Sequence, residues 1–394
     1  MIDARYDAIV VGVGGMGSAA VYELARRGLR VLGLERHDIS HDRGSSHGVN
    51  RIIRLAYWEH PAYVPLLRRA YELWRDLEAR RGEQLLFITG SVDAGRADSK
   101  TVVGSLRSCE IHSLPHELLD ARDVTRRFPG YRLAPDMRAV LQPEGGFVLC
   151  ERAIVNHVEA ARGLGADVHA REPVVSWTAS AGGVEVRTGA ATYAANHLVL
   201  TAGPWTAALV PALTALARPE RQVMLWTEPL VARFFQLDAF PVFNLDAPEG
   251  HFYGFPTFHG SGFKIGKYHH RREAVDPDRM DRDCHPEDEA VLREGIRRYF
   301  PDADGPALAM KTCLFTNSPD EHFIVDRYPA LPQVTLAAGF SGHGFKFCSV
   351  VGEILAELAI DGASRHDLEL FSLSRFGPLP SDTSQRSRSG RPSC

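Results

Sequence analysis

One stretch, Gly12-Val13-Gly14-Gly15-Met16-Gly17, constrains the fold of this chain more than any other because of what flanks it. Before it runs a short apolar segment over residues 7–11, which reads as a buried parallel strand. After it, residues 18–27 show helical spacing, and Gly28 stops that helix. Residues 30–34 read as a second strand that ends at Glu35. Strand, GxGxxG turn, helix and acid-tipped strand together make a βαβ dinucleotide-binding unit of about 30 residues. Gly12 permits the tight turn, Gly14 lets the backbone approach a pyrophosphate, and Gly17 lets helix and strand pack closely. The helix N-terminus favours the phosphate charge. Glu35 can accept hydrogen bonds from a ribose diol, which disfavours a 2′-phosphate. The turn itself leaves open whether the dinucleotide is NAD or FAD.

A single βαβ unit is a small part of 394 residues, a length that implies two or three domains, or one large domain with an insertion. Residues 61–81 read as a long amphipathic helix, residues 83–148 as short strands among Pro and Gly turns, and residues 150–164 as another helix. Strand-like pieces follow at Val174-Val175, Val184–Val186 and Tyr193, then at residues 197–203. Residues 216–310 look like a second, mostly antiparallel domain rich in aromatics. A last strand at residues 334–338 leads through a glycine-rich loop into a helix at residues 348–360. The fold class expected is α/β: a Rossmann-like domain, discontinuous in sequence, with an α+β substrate domain built on a mostly antiparallel sheet. The dinucleotide domain takes residues 1–85, 150–215 and 320–377, and the substrate domain takes 86–149 and 216–319. Residues 378–394, rich in Ser, Pro and Arg, read as a disordered tail.

A net charge of -4 offers no basic footprint for nucleic acid. The six cysteines are scattered, with no CxxC, so neither a disulfide framework nor a zinc site is expected. The opening residues show no signal-peptide pattern, and no apolar run reaches 18 residues. The expectation is a cytoplasmic protein with reduced thiols and no membrane partner.

Several features choose flavin over nicotinamide. The first βαβ unit lies at the N-terminus while its sheet is completed far downstream, the layout of FAD-dependent amine oxidoreductases. Residues 197–203 with Pro204-Trp205 resemble a second flavin-contacting strand of that group, and residues 339–347 (Gly-Phe-Ser-Gly-His-Gly-Phe-Lys-Phe) resemble its C-terminal flavin loop. Further blocks are residues 44–54 (Gly-Ser-Ser-His-Gly-Val-Asn-Arg-Ile-Ile-Arg), Tyr253-Gly254-Phe255-Pro256 and Phe263-Lys264-Ile265-Gly266. Cys313 with Ser318-Pro319-Asp320-Glu321-His322-Phe323 completes the set. With these blocks in order, the chain resembles the monomeric sarcosine oxidase and N-methyltryptophan oxidase family from about residue 5 to residue 376.

The resemblance implies roles for particular residues. Cys313 matches the position that attaches FAD through an 8α-S-cysteinyl bond, and nearby positive charge would help form the thiolate that this chemistry needs. Arg54 and Lys346 match the pair that holds a substrate carboxylate, the arginine as a planar fork and the lysine as a point charge. Lys264 matches a lysine over flavin N5 implicated in oxygen activation, where a fixed cation stabilises developing negative charge. Arg51 and His47 match residues packed near the flavin ring, and Tyr253 matches an aromatic residue of the substrate cavity. Gly12, Gly14, Gly17, Glu35, Val174, Gly342, Gly344 and Lys346 complete the expected FAD contacts; no metal site is expected. Three departures stand out. Phe315 and Tyr268 occupy positions where the family commonly has tyrosine and histidine, and Ser46-His47-Gly48-Val49-Asn50-Arg51 replaces His-His-Gly-Asp-Thr-Arg. The first two touch the substrate-facing wall.

The resemblance implies a monomeric, FAD-dependent oxidase of a secondary α-amino acid, N-methyl or cyclic, that uses O2 and releases H2O2. The rivals are a flavin-dependent amino-acid dehydrogenase or a biosynthetic imino-acid oxidase of the same fold, an NAD-dependent dehydrogenase, and a flavin-carrying scaffold without activity.

Overall fold

The computed structural model describes residues 2–329 and 331–379. Among these residues the strands form three sheets. The first holds the dinucleotide unit. Strand Ala4–Val11 lies between Thr192–Leu200 and Val31–Leu34, parallel to both, and Val31–Leu34 is in turn parallel to Asp167–His169. All four residues of Val31–Leu34 are buried, as a strand covered on both faces requires. Strand Thr192–Leu200 serves two further neighbours along one edge. Its first half pairs antiparallel with Gly183–Thr188, and its second half pairs parallel with Leu331–Ala338. The expected strand at residues 197–203 thus begins at Thr192, because the hairpin from Val174–Ser180 to Gly183–Thr188 extends its ladder.

Helices Gly15–Arg26, Cys150–Gly163 and Cys348–Ile360 bury their apolar faces together on one side of this sheet. Two of them approach at backbone distance: a side chain at Gly352 would meet the Ala19 carbonyl carbon at 2.6 Å. Helix Tyr63–Arg81 joins the same core through Leu67, Ala70 and Trp74, and it starts two residues inside the expected span.

The second sheet runs, in spatial order, Ala307–Asn317, Arg218–Thr227, Phe263–Lys267, Gly250–Phe255, Val242–Ala247, Ser91–Arg96, Met137–Gln142 and Glu117–Asp120. It is antiparallel except where Val242–Ala247 runs parallel to Ser91–Arg96. One face packs Phe252, Phe263 and Ile265 against Leu292 and Ile296 of helix Pro286–Tyr299. Side chains alternate along a strand, so the residues between these point the other way. Register then brings Lys264 opposite both Phe255 and Trp226, Tyr253 opposite Gly266, and Cys313 opposite Gln222.

A third, small sheet pairs Gly146–Leu149 with Asn50–Ile53 on one side and Leu86–Ile88 on the other. It ties a segment of the expected dinucleotide domain to segments of the expected substrate domain. Of the expected tail, residues 380–394 lie outside the described residues, while Leu379 packs against the core on the other face of the first sheet from helices Gly15–Arg26, Cys150–Gly163 and Cys348–Ile360. Among the described residues no helix is long and apolar enough to cross a membrane.

Candidate functional site

A cavity of about 390 Å³ runs from the glycine turn, past the end of the parallel strands, to the far face of the antiparallel sheet. This is the crevice at strand C-terminal ends where open α/β sheets take ligands. At one end Gly12 and Gly14 form its wall. A Cβ at Gly14 would meet nothing within 4 Å, so the backbone there is open to a ligand. Helix Gly15–Arg26 has no side-chain cap on its first amides, which leaves them for an anion. Gly17 does not line the cavity; its Cβ would lie 1.8 Å from Gly12 O, so it permits the close packing that shapes the turn. Glu35 accepts hydrogen bonds from Val13 N at 2.8 Å and His37 N at 2.9 Å, and it faces the cavity. Burial raises its pKa, but His41 and these amides outweigh that, so the carboxylate is held below its usual range.

Gly15 links this end to the C-terminal loop. A Cβ there would meet Cys348 Sγ at 2.7 Å and the Phe345 ring at 3.1 Å. Gly342, Gly344 and Lys346 of the same loop line the cavity, as do Val174 and Thr201 to Trp205. One polar group on this wall is left over: Thr316 Oγ1 has no hydrogen-bond partner in the protein. Open backbone, an oriented carboxylate and an orphaned hydroxyl fit an extended dinucleotide.

The thiol of Cys313 is 3% exposed, beside Leu314 and Phe315, which line the cavity. Arg51 Nη2 lies 3.5 Å from its sulfur and also donates to Ser45 O at 2.8 Å. Burial pushes the thiol up, yet neighbouring His47 and Arg51 prevail and bring its pKa down to about 7. Cys348 has Lys346 nearby, but burial outweighs that cation and holds the thiol well above its usual range.

Lys264 is 1% exposed. Its ammonium donates to Gly48 O at 2.7 Å, Asn50 O at 2.9 Å and Asn50 Oδ1 at 3.0 Å, and lies 4.4 Å from the centre of the Phe255 ring. Burial and the nearby Arg51 lower its pKa well below the usual lysine range. Three acceptors for three N–H groups oppose that pull. Asn50, one of the departures from the family pattern, supplies two of them.

The end of the cavity at the antiparallel sheet is aromatic. Tyr253, Phe255, Tyr268 and Phe315 line it, with Tyr268 5.3 Å from Tyr253 and 5.8 Å from Phe315 between ring centres. Lys346 lines the same end, and its ammonium donates to His343 O at 2.7 Å. Burial, helped by Arg54, brings its pKa down to about 7. Arg54 does not line the cavity. Its Nη2 forks onto both oxygens of Glu59 at 2.9 and 2.8 Å, its Nη1 donates to Ala56 O at 2.6 Å, and its Nε stands 3.7 Å from Asp93. Arg54 and Lys346 both approach the Tyr57 ring, at 4.5 and 5.3 Å. Tyr57 OH in turn lies 2.6 Å from His343 Nδ1, while His343 Nε2 lies 2.9 Å from the Glu321 carbonyl. A carbonyl can only accept, so Nε2 carries the proton and Nδ1 accepts from the tyrosine.

Outside the Tyr268 and Phe315 wall, His269 bridges two carboxylates. Its Nδ1 lies 3.1 Å from Glu220, its Nε2 3.1 Å from Glu321. Both nitrogens must donate, so the ring is an imidazolium, and these acids raise its pKa to about 9. The sequence reading missed Glu59, Tyr57, His343, Glu220 and Glu321 as site groups. Glu59 follows Arg54 by five residues in a loop, and its carboxylate has no motif to mark it.

Residues 7–358 match the family described as DAO, FAD dependent oxidoreductase. A monomeric sarcosine oxidase of Streptomyces avermitilis is 42% identical over 380 residues, covering 95% of this chain and 99% of that protein. An N-methyl-L-tryptophan oxidase of Yersinia pestis is 34% identical over 374 residues, covering 94% and 99%. Among solved structures, NikD, an unusual amino acid oxidase essential for nikkomycin biosynthesis, is similar with a TM-score of 0.82 and 27% identity over 94% of this chain and 97% of that one. The chain belongs to the FAD dependent oxidoreductase family, in the branch of the monomeric sarcosine oxidases and N-methyltryptophan oxidases.

Proposed function

We propose that this chain is a monomeric FAD-dependent oxidase of a secondary α-amino acid, N-methylated or cyclic, with O2 as electron acceptor and H2O2 as product. The observation that carries the reading is Lys346, a buried ammonium on the cavity wall whose hydrogen-bond partner in the protein is His343 O. Two of its N–H groups remain for an anion, and an α-carboxylate supplies one. Arg54, on the same Tyr57 ring, joins the grip once Glu59 yields its fork. The rings of Tyr253, Phe255, Tyr268 and Phe315 then receive the carbon substituents of the amine. The substrates in its relatives' names, sarcosine and N-methyl-L-tryptophan, are both N-methyl amino acids.

When bound, FAD would take a hydride equivalent from the carbon next to the amine and pass two electrons to O2. The imine hydrolyses, and an N-methyl substrate yields formaldehyde and the primary amino acid. Gly12, Gly14 and the first helical amides would hold the pyrophosphate, and Glu35 the ribose. Cys313 is the candidate tether, supported by its depressed pKa and by Arg51 beside it. Lys264 and Arg51 supply fixed cations near the wall where charge develops as O2 is reduced.

Purified protein given a panel of N-methyl and cyclic amino acids in air should release peroxide with at least one of them. A flavin-loaded protein that reacts with none refutes the oxidase reading. Acid precipitation should leave the flavin on the polypeptide; colour lost to the supernatant refutes the tether. Kinship with NikD favours a second reading, a biosynthetic oxidase, which predicts turnover confined to cyclic members of the panel.

A further inference from the structure

Glu151 lies in the first turn of helix Cys150–Gly163, where an acid ordinarily does no more than complement the helix dipole. Here its carboxylate leaves the helix for the segment that precedes Arg51. It accepts Gly48 N at 2.6 Å on one oxygen and Val49 N at 3.1 Å on both. The backbone beneath is in the left-handed region twice in succession, with φ of 89° at Gly48 and 76° at Val49. Glycine adopts that conformation freely, whereas a β-branched residue does so only when its surroundings compel it.

Left-handed turns of this kind point successive amides to one side and form an anion-binding hollow. Glu151 fills the hollow from within the protein. The carbonyls serve the opposite partner: Gly48 O and Asn50 O both accept from Lys264. Asn50 O also accepts from Arg51 Nη1 at 2.9 Å, and Arg51 reaches Cys313. One short segment thus has a carboxylate on its amides and an ammonium on its carbonyls.

We propose that Glu151 is a positioning residue for the oxygen half of the reaction, holding Gly48-Val49 in the left-handed form that aims the Gly48 and Asn50 carbonyls at Lys264. The proposal rests on the reading of Lys264 as the cation that serves O2 reduction. It also accounts for valine at position 49: the carboxylate, not the local residue preference, dictates the conformation.

The test follows the two half-reactions separately in the flavin-loaded enzyme, by anaerobic reduction with amine and by mixing reduced enzyme with O2. Glu151→Ala should slow the oxygen step about ten- to a hundredfold, the factor that matches the strain released at Val49, with a much smaller effect on reduction. Adding Val49→Gly to that variant should recover about tenfold, since glycine holds the conformation without the carboxylate. Glu151→Gln, which keeps one acceptor oxygen, should stay near wild type and guards against a misfolded alanine variant. A Glu151→Ala enzyme that meets O2 at the wild-type rate while Lys264→Met is slow overturns the proposal, as does failure of both Val49→Gly and Glu151→Gln to preserve the rate. If Lys264→Met itself reacts normally, the reading of Lys264 fails instead. The crystal structure of Glu151→Ala then decides the clamp: loss of the Gly48 O to Lys264 contact supports it, and a contact kept at its present length overturns it.

Discussion

Replacing His269 with glutamine removes a cation held between two acids, and the cost should depend on pH in a defined direction. The imidazole rises from 6.5 to about 9 on folding. Such a rise corresponds to at most ~3 kcal/mol of linked stability. The Glu321 side chain is 57% exposed, and solvent screening there brings the figure to about 1–2 kcal/mol. Because the folded-state pKa is the higher one, the contribution is complete below about pH 6.5 and disappears as pH rises through about 9. At a typical unfolding entropy per residue, a chain of this size shifts its Tm by about 1 °C per kcal/mol. Thermal unfolding of the flavin-loaded enzyme should therefore show His269→Gln about 1–2 °C below wild type at pH 6, with the gap closing at pH 10 and shrinking in high salt. A gap that is constant from pH 6 to 10, or that widens with pH, refutes the bridging imidazolium.

Three further outcomes are expected. Glu59→Gln should loosen the hold on Arg54, so that a carboxylate inhibitor binds up to about tenfold more tightly in a titration of flavin absorbance. A carboxylate bound by Lys346 needs the ammonium, so the inhibitor Kd should rise about tenfold per pH unit above about 7 in wild type, and stay flat in Lys346→Met. Gly17→Ala should purify with little or no flavin, measured as visible absorbance per polypeptide, because its Cβ would sit 1.8 Å from Gly12 O and push the helix off the turn.

The parts of this protein that were legible in its sequence obey local rules. The turn from Gly12 to Gly17 declares itself because glycine, strand and helix must follow in that order. Phe263-Lys264-Ile265 is readable as a strand, and alternation already separates the lysine from its apolar neighbours. Partners were not legible, because they are set by packing between distant segments. Arg54 shows a carboxylate-binding fork in sequence, but only the fold shows that Glu59 already occupies it. Glu151 looks like any acid in a helix's first turn until the loop before Arg51 is laid against it. His269 reads as one of two adjacent histidines; its bridge to Glu220 and Glu321 spans 49 residues one way and 52 the other.

The contact of Gly15 with Phe345 and Cys348 has a consequence for how the enzyme comes into being. The dinucleotide turn leaves the ribosome long before the loop that closes over it. Strand Ala4–Val11 waits almost as long for its partner at Thr192–Leu200. The chain must hold its first strand unpaired on that side until that partner has emerged, and such long-range pairing is slow and exposed to aggregation. The cavity wall is incomplete until residue 348 has emerged. Flavin would therefore stabilise protein whose two ends are already joined rather than template their meeting.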